Sequence, residues 1–254
     1  MPWDTAHYLR FGDERTRAAA DLVARIDLWQ PESIVDLGCG PGNSTRLLRE
    51  RWPRARVLGL DSSPEMIAAA RAADPDHDWL KADIGAWQPG CTFDLVFANA
   101  ALQWLPDHPA LVGRLFRLVS PGGALAFQIP SDAHSLVRTF IREISEDPAW
   151  RERMAGPRAA VTMEAPSVYY DALAVSAGAL DIWETEYNHV MEGPQAIVEW
   201  ISSTGLRPFL DVLDPDERSE FVDRLLARVA AGYPRRVDGR VLFPFRRLFV
   251  IAYA

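Results

Sequence analysis

The chain has 254 residues, 48% apolar and 24% charged, enough to build a full core without disulfide or metal staples. Its formal net charge of -8 speaks against a surface made to grip phosphate backbones. Two isolated cysteines, Cys39 and Cys91, cannot make a four-ligand zinc site and fit a reducing compartment. No stretch approaches the ~20 apolar residues of a membrane span. The first residues carry no apolar run of signal-peptide length, so a cytoplasmic protein is expected, with no membrane, nucleic-acid or obligate protein partner.

The first half alternates strands and helices. Apolar runs over Ser33–Leu37, Arg56–Asp61, Asp78–Ile84, Phe93–Asn99 and Ala124–Ile129 predict five strands. Near-continuous apolar strands joined through helices imply a parallel sheet covered on both faces. Helical patterns fall at Ser44–Arg51, at Pro64–Ala73 with Ser63 as N-cap, and at Leu111–Val119, the last stopped by the Pro121–Gly123 turn. In the second half, Ser135–Ser145 and Tyr169–Ala177 read as helices and Asp181–Val190 as a sixth strand. Pro194–Thr204 and Pro215–Ala231 then read as helices, and Leu242–Tyr253 as a last strand. A single domain over 1–254 is expected. Its core is about 30–130 and 167–254, with an N-terminal segment 1–29 and insertions 131–166 and 192–235 forming a substrate cap.

The strongest signal runs from Val35 through Asp36, Gly38, Gly40 and Gly42 to Ser44, between a predicted strand and a predicted helix. Glycines there let backbone approach a ligand that any Cβ would block. The nicotinamide fingerprint G-x-G-x-x-G fails at its third glycine, because position 43 is Asn. Asp36 also argues against a diphosphate, which it would repel, but can sit near an ammonium group. The pattern D-x-G-x-G-x-G resembles the first motif of class I S-adenosylmethionine-dependent methyltransferases. That resemblance implies an α/β, Rossmann-like, seven-stranded and mostly parallel sheet, with helices on both faces and a helical cap before the last strand.

Other positions agree with that resemblance. Asp61 ends the second strand, where a carboxylate can accept both ribose hydroxyls of an adenosine; Ser62 follows it. Asp83 ends the predicted third strand, and the superfamily implies that it holds the adenine amino group while Ile84 packs on the ring. Asn99 ends the fourth strand, on the edge where ligands of parallel sheets bind. Gln103 and Trp104 begin either a wall between cofactor and substrate or, for Trp104 equally, part of the core.

Absent features remove several acceptors. Amino-adenine enzymes carry Asn/Asp-Pro-Pro-aromatic after the fourth strand, unlike Asn99-Ala100-Ala101. Cytosine C5 enzymes need an activated cysteine there. Metal-assisted catechol chemistry needs a carboxylate cluster, and no metal is expected. The positive clue is arginine: Arg207 between two helices, and Arg246 and Arg247 at the start of the last strand. Of the 27 basic side chains only Lys81 is lysine, so arginine is this chain's ordinary cation and internal pairing is the competing explanation.

Trp3, Asp4, Tyr8, Leu9 and Phe11, the run Asp36–Leu47, Phe97–Ala100 with Leu102–His108, Thr204–Pro208 and Arg247–Phe249 together resemble the trans-aconitate 2-methyltransferase family over nearly the whole chain, least from Ser131 to Pro166. The resemblance implies methyl transfer from S-adenosyl-L-methionine to one carboxylate of trans-aconitate, leaving a monomethyl ester and S-adenosyl-L-homocysteine. A carboxylate with a pKa of ~4 is already the nucleophile at neutral pH, so no catalytic base is expected. The protein aligns the reactants and excludes water. The two spare carboxylates suit arginine forks, at roughly 1.5–3 kcal/mol per charged hydrogen bond. Arg207 and Arg247 take that role here, Arg246 less so, with Tyr8, Tyr169, Tyr170 and His189 as further donors. The alternatives are a methyltransferase acting on a quinone precursor or another acid, and a cofactor-binding protein without catalysis.

Overall fold

The computed structural model describes residues 12–131, 135–202 and 204–254, with only the backbone of 12–15. In chain order the elements are α1 (Gly12–Arg25), β1 (Ser33–Leu37), α2 (Asn43–Arg51), β2 (Arg56–Asp61), α3 (Pro64–Ala73), β3 (Asp78–Lys81) and β4 (Phe93–Asn99). A 3-10 turn (Leu102–Trp104) leads to α4 (His108–Phe116), β5 (Val119–Pro130), α5 (Leu136–Ser145), α6 (Ala155–Ala159), α7 (Pro166–Leu173) and β6 (Ala179–Met191). The chain closes with α8 (Pro194–Ser202), α9 (Arg207–Asp211), α10 (Pro215–Gly232) and β7 (Val241–Tyr253). The strands form one seven-stranded sheet in the order β3-β2-β1-β4-β5-β7-β6. Pairings from β3 through β5 are parallel, and β7 runs antiparallel to β5.

That order reverses direction between β1 and β4, and in such a sheet the crevice beyond the carboxyl ends of those two strands is where ligands bind. Both strands are buried on both faces, which is why they read as unbroken apolar runs. Two helix entrances show a local reason. Ser63 caps α3 by accepting from the Met66 N–H at 3.2 Å, with Pro64 at the first helical position. Asp214 and Glu217 form a reciprocal capping box at the start of α10.

By contacts the chain divides into two compact units. The first holds residues 2–130, 163–185 and 247–254; the second holds 131–162 and 186–246, so the division runs through β6 and β7. In the first unit Leu37, Val96, Leu115, Phe127, Tyr169 and Val250 belong to one buried cluster drawn from β1, β4, β5, β7, α4 and α7. In the second, α10 packs on α5 and α8. Trp150 and Phe209 lie against Phe221 there, at 5.7 and 6.3 Å between ring centres.

Several boundaries differ from expectation. β3 stops at Lys81, before Asp83, because Asp83 opens a turn: its carboxylate accepts from the Gly85 N–H at 2.8 Å. α4 starts earlier than the apolar pattern, at His108, because Asp107 caps it, and it ends at Phe116. Pro121–Gly123 does not separate helix from strand. It lies inside β5, where the β4 register jumps from Phe93–Val119 to Leu95–Ala124. α7 lies at Pro166–Leu173 rather than Tyr169–Ala177, since Pro166 opens it at the first helical position. α1, α6 and the short α9 were not anticipated.

Candidate active site

The turn after β1 is fixed by its own backbone. Gly38 and Cys39 donate to the Leu60 carbonyl at 2.7 and 3.0 Å, tying the turn to β2. Gly38, Gly40 and Gly42 adopt φ of 71, 55 and 97°, the left-handed region that costs a side chain dearly. Their surroundings differ. A Cβ on Gly38 would fall 2.3 Å from that of Ala101, so this glycine lets the β1 turn touch the turn after β4. A Cβ on Gly42 would fall 2.8 Å from the Trp79 ring, and the same indole excludes one on Gly59 at 2.4 Å. A Cβ on Gly40 would meet no described atom within 4 Å, so the side that a methyl group would take is open there.

Asp36 is completely buried at the end of β1. Its Oδ2 accepts from the Ser44 and Thr45 hydroxyls, both at 2.7 Å, from the first turn of α2. Among the described residues its Oδ1 has no partner, and neither has the buried Oε1 of Gln103. Burial pushes the Asp36 carboxyl up to about 6, against the pull of the two hydroxyls. The neighbouring Cys39 thiol is pushed up as well, first by burial and then by Asp36 and Asp61, so it is an inert thiol rather than a nucleophile. The two orphaned atoms are both acceptors, a set that suits an ammonium group.

At the end of β2, Asp61 accepts from the Gly40 N–H at 2.9 Å and from the Ser63 N–H at 2.8 Å. These two bonds hold the carboxylate against the glycine turn and leave each oxygen further acceptor capacity. Ser62 and Asp83 are exposed, whereas Ile84 is buried, its Cδ1 3.7 Å from where a Cβ on Gly38 would be.

Beyond β4 the chain is forced into an uncommon shape. Ala100 has φ of 53°, and both of its backbone groups are tied down. Its N–H donates to the Gln128 carbonyl at 2.9 Å, and its carbonyl accepts from Gln103 Nε2 at 2.7 Å. The 3-10 turn that follows is anchored from α4 and α7: His108 Nε2 donates to the Leu102 carbonyl at 2.9 Å, and its Nδ1 meets the Tyr169 hydroxyl. A carbonyl only accepts, so Nε2 carries the proton and Nδ1 accepts from Tyr169. Burial holds His108 neutral by lowering its pKa. Tyr169, fully buried, therefore spends its proton inward on His108. Trp104 is half-buried.

Residues 34–123 match the family model of a methyltransferase domain. The trans-aconitate 2-methyltransferase of Azoarcus sp. (strain BH72) is 51% identical over 253 residues, covering 99% of each chain. The enzyme of that name from Methylobacterium nodulans is 49% identical over 98% of this chain and 97% of its own. Among solved structures, the YcgJ protein of Bacillus subtilis superposes with a TM-score of 0.62 at 13% identity, over 93% of this chain and 98% of that one.

The chain belongs to the trans-aconitate 2-methyltransferase family.

Of the family residues expected to hold an acid, Arg247 is buried on β7, opposite Pro130 of β5, and donates from Nη1 to Gln128 Oε1 at 3.2 Å. Arg246 is more than half exposed and faces Glu186 at 3.5 Å. Arg207 opens α9 and faces Asp211 at 3.7 Å. His189 is buried among aromatic rings of the second unit, 4.7 Å from the centre of Trp200. Tyr170 is exposed, and Tyr8 lies outside the described residues. Among the described residues no cluster of three His, Cys, Asp or Glu side chains could hold a metal ion.

Thr45, Trp79 and Gln128 shape this region as well, beyond the residues expected from the sequence. Gln128 had a signal: a lone amide within the apolar run Ala124–Ile129. Ser44 and Thr45 had one too, as hydroxyls on the turn of α2 that follows the glycines. Trp79 had none, since a tryptophan in a short strand reads as ordinary core.

Proposed function

We propose that this protein methylates one carboxylate of trans-aconitate, giving a monomethyl ester. The observation that carries the reading is the match, over 98% or more of the chain, to relatives named for that reaction at about half identity. S-adenosylmethionine, when bound, supplies a methyl group on a positively charged sulfur that needs no further activation. Asp36 and Gln103 offer acceptors for its ammonium, and the glycine turn that follows Asp36 lets backbone approach it. Asp61 takes the ribose hydroxyls, flanked by Ser62, while Ile84 and Asp83 take the adenine. Asn99 and Trp104 border the methionine end.

The acceptor arrives ionised, so these residues need move no proton; their work is to align an oxygen and exclude water. Arg247 places a buried positive charge at the carboxyl edge of the sheet, which favours an anion there. Net charge -8 speaks against a nucleic-acid acceptor, and no described helix is long and apolar enough to cross a membrane.

Labelled S-adenosylmethionine offered with trans-aconitate, cis-aconitate and citrate tests the reading. The label is expected in an ester of trans-aconitate at the highest kcat/KM. Label passing to a phenol or quinone precursor but to none of the three acids would sink it.

A further inference from the structure

We infer that Arg247 serves the reaction at one remove: through Gln128 it fixes which way the Asn99 amide faces, so that the end of β4 presents N–H donors to a carboxylate. The inference deepens the methyl-transfer reading above and rests on it for the ligand, though not for the orientation of the amide.

Asn99, Gln128 and Arg247 lie side by side at one sheet edge, on β4, β5 and β7. Gln128 pairs with Asn99 on one side and Phe249 on the other, and Pro130 pairs with Arg247. Gln128 is completely buried, and both ends of its side chain are engaged. Its Oε1 accepts from Arg247 Nη1 at 3.2 Å, and its Nε2 donates to Asn99 Oδ1 at 2.6 Å.

The directions in this chain are forced by chemistry. An amide can be turned over, exchanging oxygen for nitrogen, at almost no steric cost. A guanidinium has donors only. Arg247 therefore requires the oxygen of Gln128, which turns the Gln128 nitrogen to Asn99. That nitrogen in turn requires the oxygen of Asn99, and the Asn99 Nδ2 is left facing away. Asn99 is half-buried, and among the described residues nothing accepts from its Nδ2. The backbone of Gln128 joins in, because its carbonyl holds the Ala100 N–H and with it the turn beyond Asn99.

Without the cation the amide pair would be bistable, and Asn99 would present its oxygen as readily as its nitrogen. With it, the site offers two N–H groups suited to a carboxylate. Two carboxylates could use them, that of the acid acceptor or that of the cofactor's amino-acid end, and the experiment separates the two.

Gln128→Glu is the informative change. It keeps the volume and gives Arg247 a stronger partner, yet removes the donor to Asn99, so the Asn99 amide turns over and presents its oxygen. If the acid is the ligand, KM for trans-aconitate rises roughly tenfold or more while the calorimetric Kd of S-adenosylhomocysteine holds. If the cofactor's carboxylate is the ligand, the same loss falls on Kd. Asn99→Ala gives a similar loss, and Gln128→Glu added to Asn99→Ala costs nothing further, because the two act through one donor.

A readout free of ligand is side-chain amide hydrogen exchange by NMR. In the wild type the Gln128 NH2 exchanges slowly and that of Asn99 fast; in Gln128→Glu the Asn99 NH2 becomes slow. Wild-type Asn99 protons already protected, or a Gln128→Glu protein with unchanged KM and Kd, would overturn the inference. A wild type inert towards trans-aconitate refutes that acceptor alone, and the exchange pattern then decides the orientation.

Discussion

The two halves of the carboxyl edge are built on different principles. Around β1 the site is local: Asp36, its hydroxyl partners Ser44 and Thr45, and the three glycines between them all fall within ten consecutive residues. Around β4, β5 and β7 it is assembled from afar, with Gln128 bonded to residues 29 and 119 positions away. The local half holds its shape by backbone conformation, the distant half by the direction of side-chain hydrogen bonds. Damage to the first removes a fold feature; damage to the second re-aims a group.

Substitutions can break that contrast, beginning with the harshest. Gly38→Ala meets both a positive φ and the Ala101 methyl, so a loss of about 3 kcal/mol or more in unfolding free energy is expected by denaturant titration. Gly40→Ala meets only the backbone term, about 1–2 kcal/mol. Equal losses at the two positions would mean that contact with the β4 turn matters little.

Asp36→Asn comes next and should cost roughly tenfold or more in S-adenosylhomocysteine affinity by calorimetry. The sign with pH follows from its raised pKa. The free wild type takes up a proton as pH falls through about 6, and an ammonium ligand prefers the ionised form. Affinity should therefore drop below about pH 6, with proton release on binding near that pH, and Asp36→Asn should abolish the step. The same raised pKa means that the buried charge destabilises the free protein above pH 6. The variant should accordingly be as stable as wild type or up to about 2 kcal/mol more so at pH 8.

A smaller effect is expected at Tyr169→Phe, which loses one buried hydrogen bond to His108. That costs about 1–2 kcal/mol of stability with KM for both substrates little changed. A large rise in KM for the acid would instead make the hydroxyl a ligand contact. Arg246→Ala, which removes an exposed pair with Glu186, should move stability by less than about 0.5 kcal/mol.

The same contrast explains what could be read in the sequence. β1, β2, β4 and the glycine turn were legible because unbroken apolar runs and positive-φ glycines are local signals. α9 was not, since five residues containing Pro208 show no helical period. The Pro121–Gly123 segment looked like a break between elements, yet two glycines and a proline serve equally well as a bulge inside a strand. Arg247 was visible as a suspicious arginine, but its partner lies on another strand, and no spacing rule connects the two. Its role could be framed only once the register between β5 and β7 was known.

The indole of Trp79 carries a last consequence. One ring lies across two glycines, Gly42 in the cofactor turn, already bound to glycine by its φ of 97°, and Gly59 on β2. The third glycine of the motif thus answers to a neighbour inside the fold as much as to any nucleoside. In relatives with a slimmer side chain at position 79, a methyl group at position 59 would next meet the Cys39 sulfur, 3.1 Å away, which has to yield by a few tenths of an ångström. The two sites should then vary as a pair, independently of which acid the enzyme esterifies.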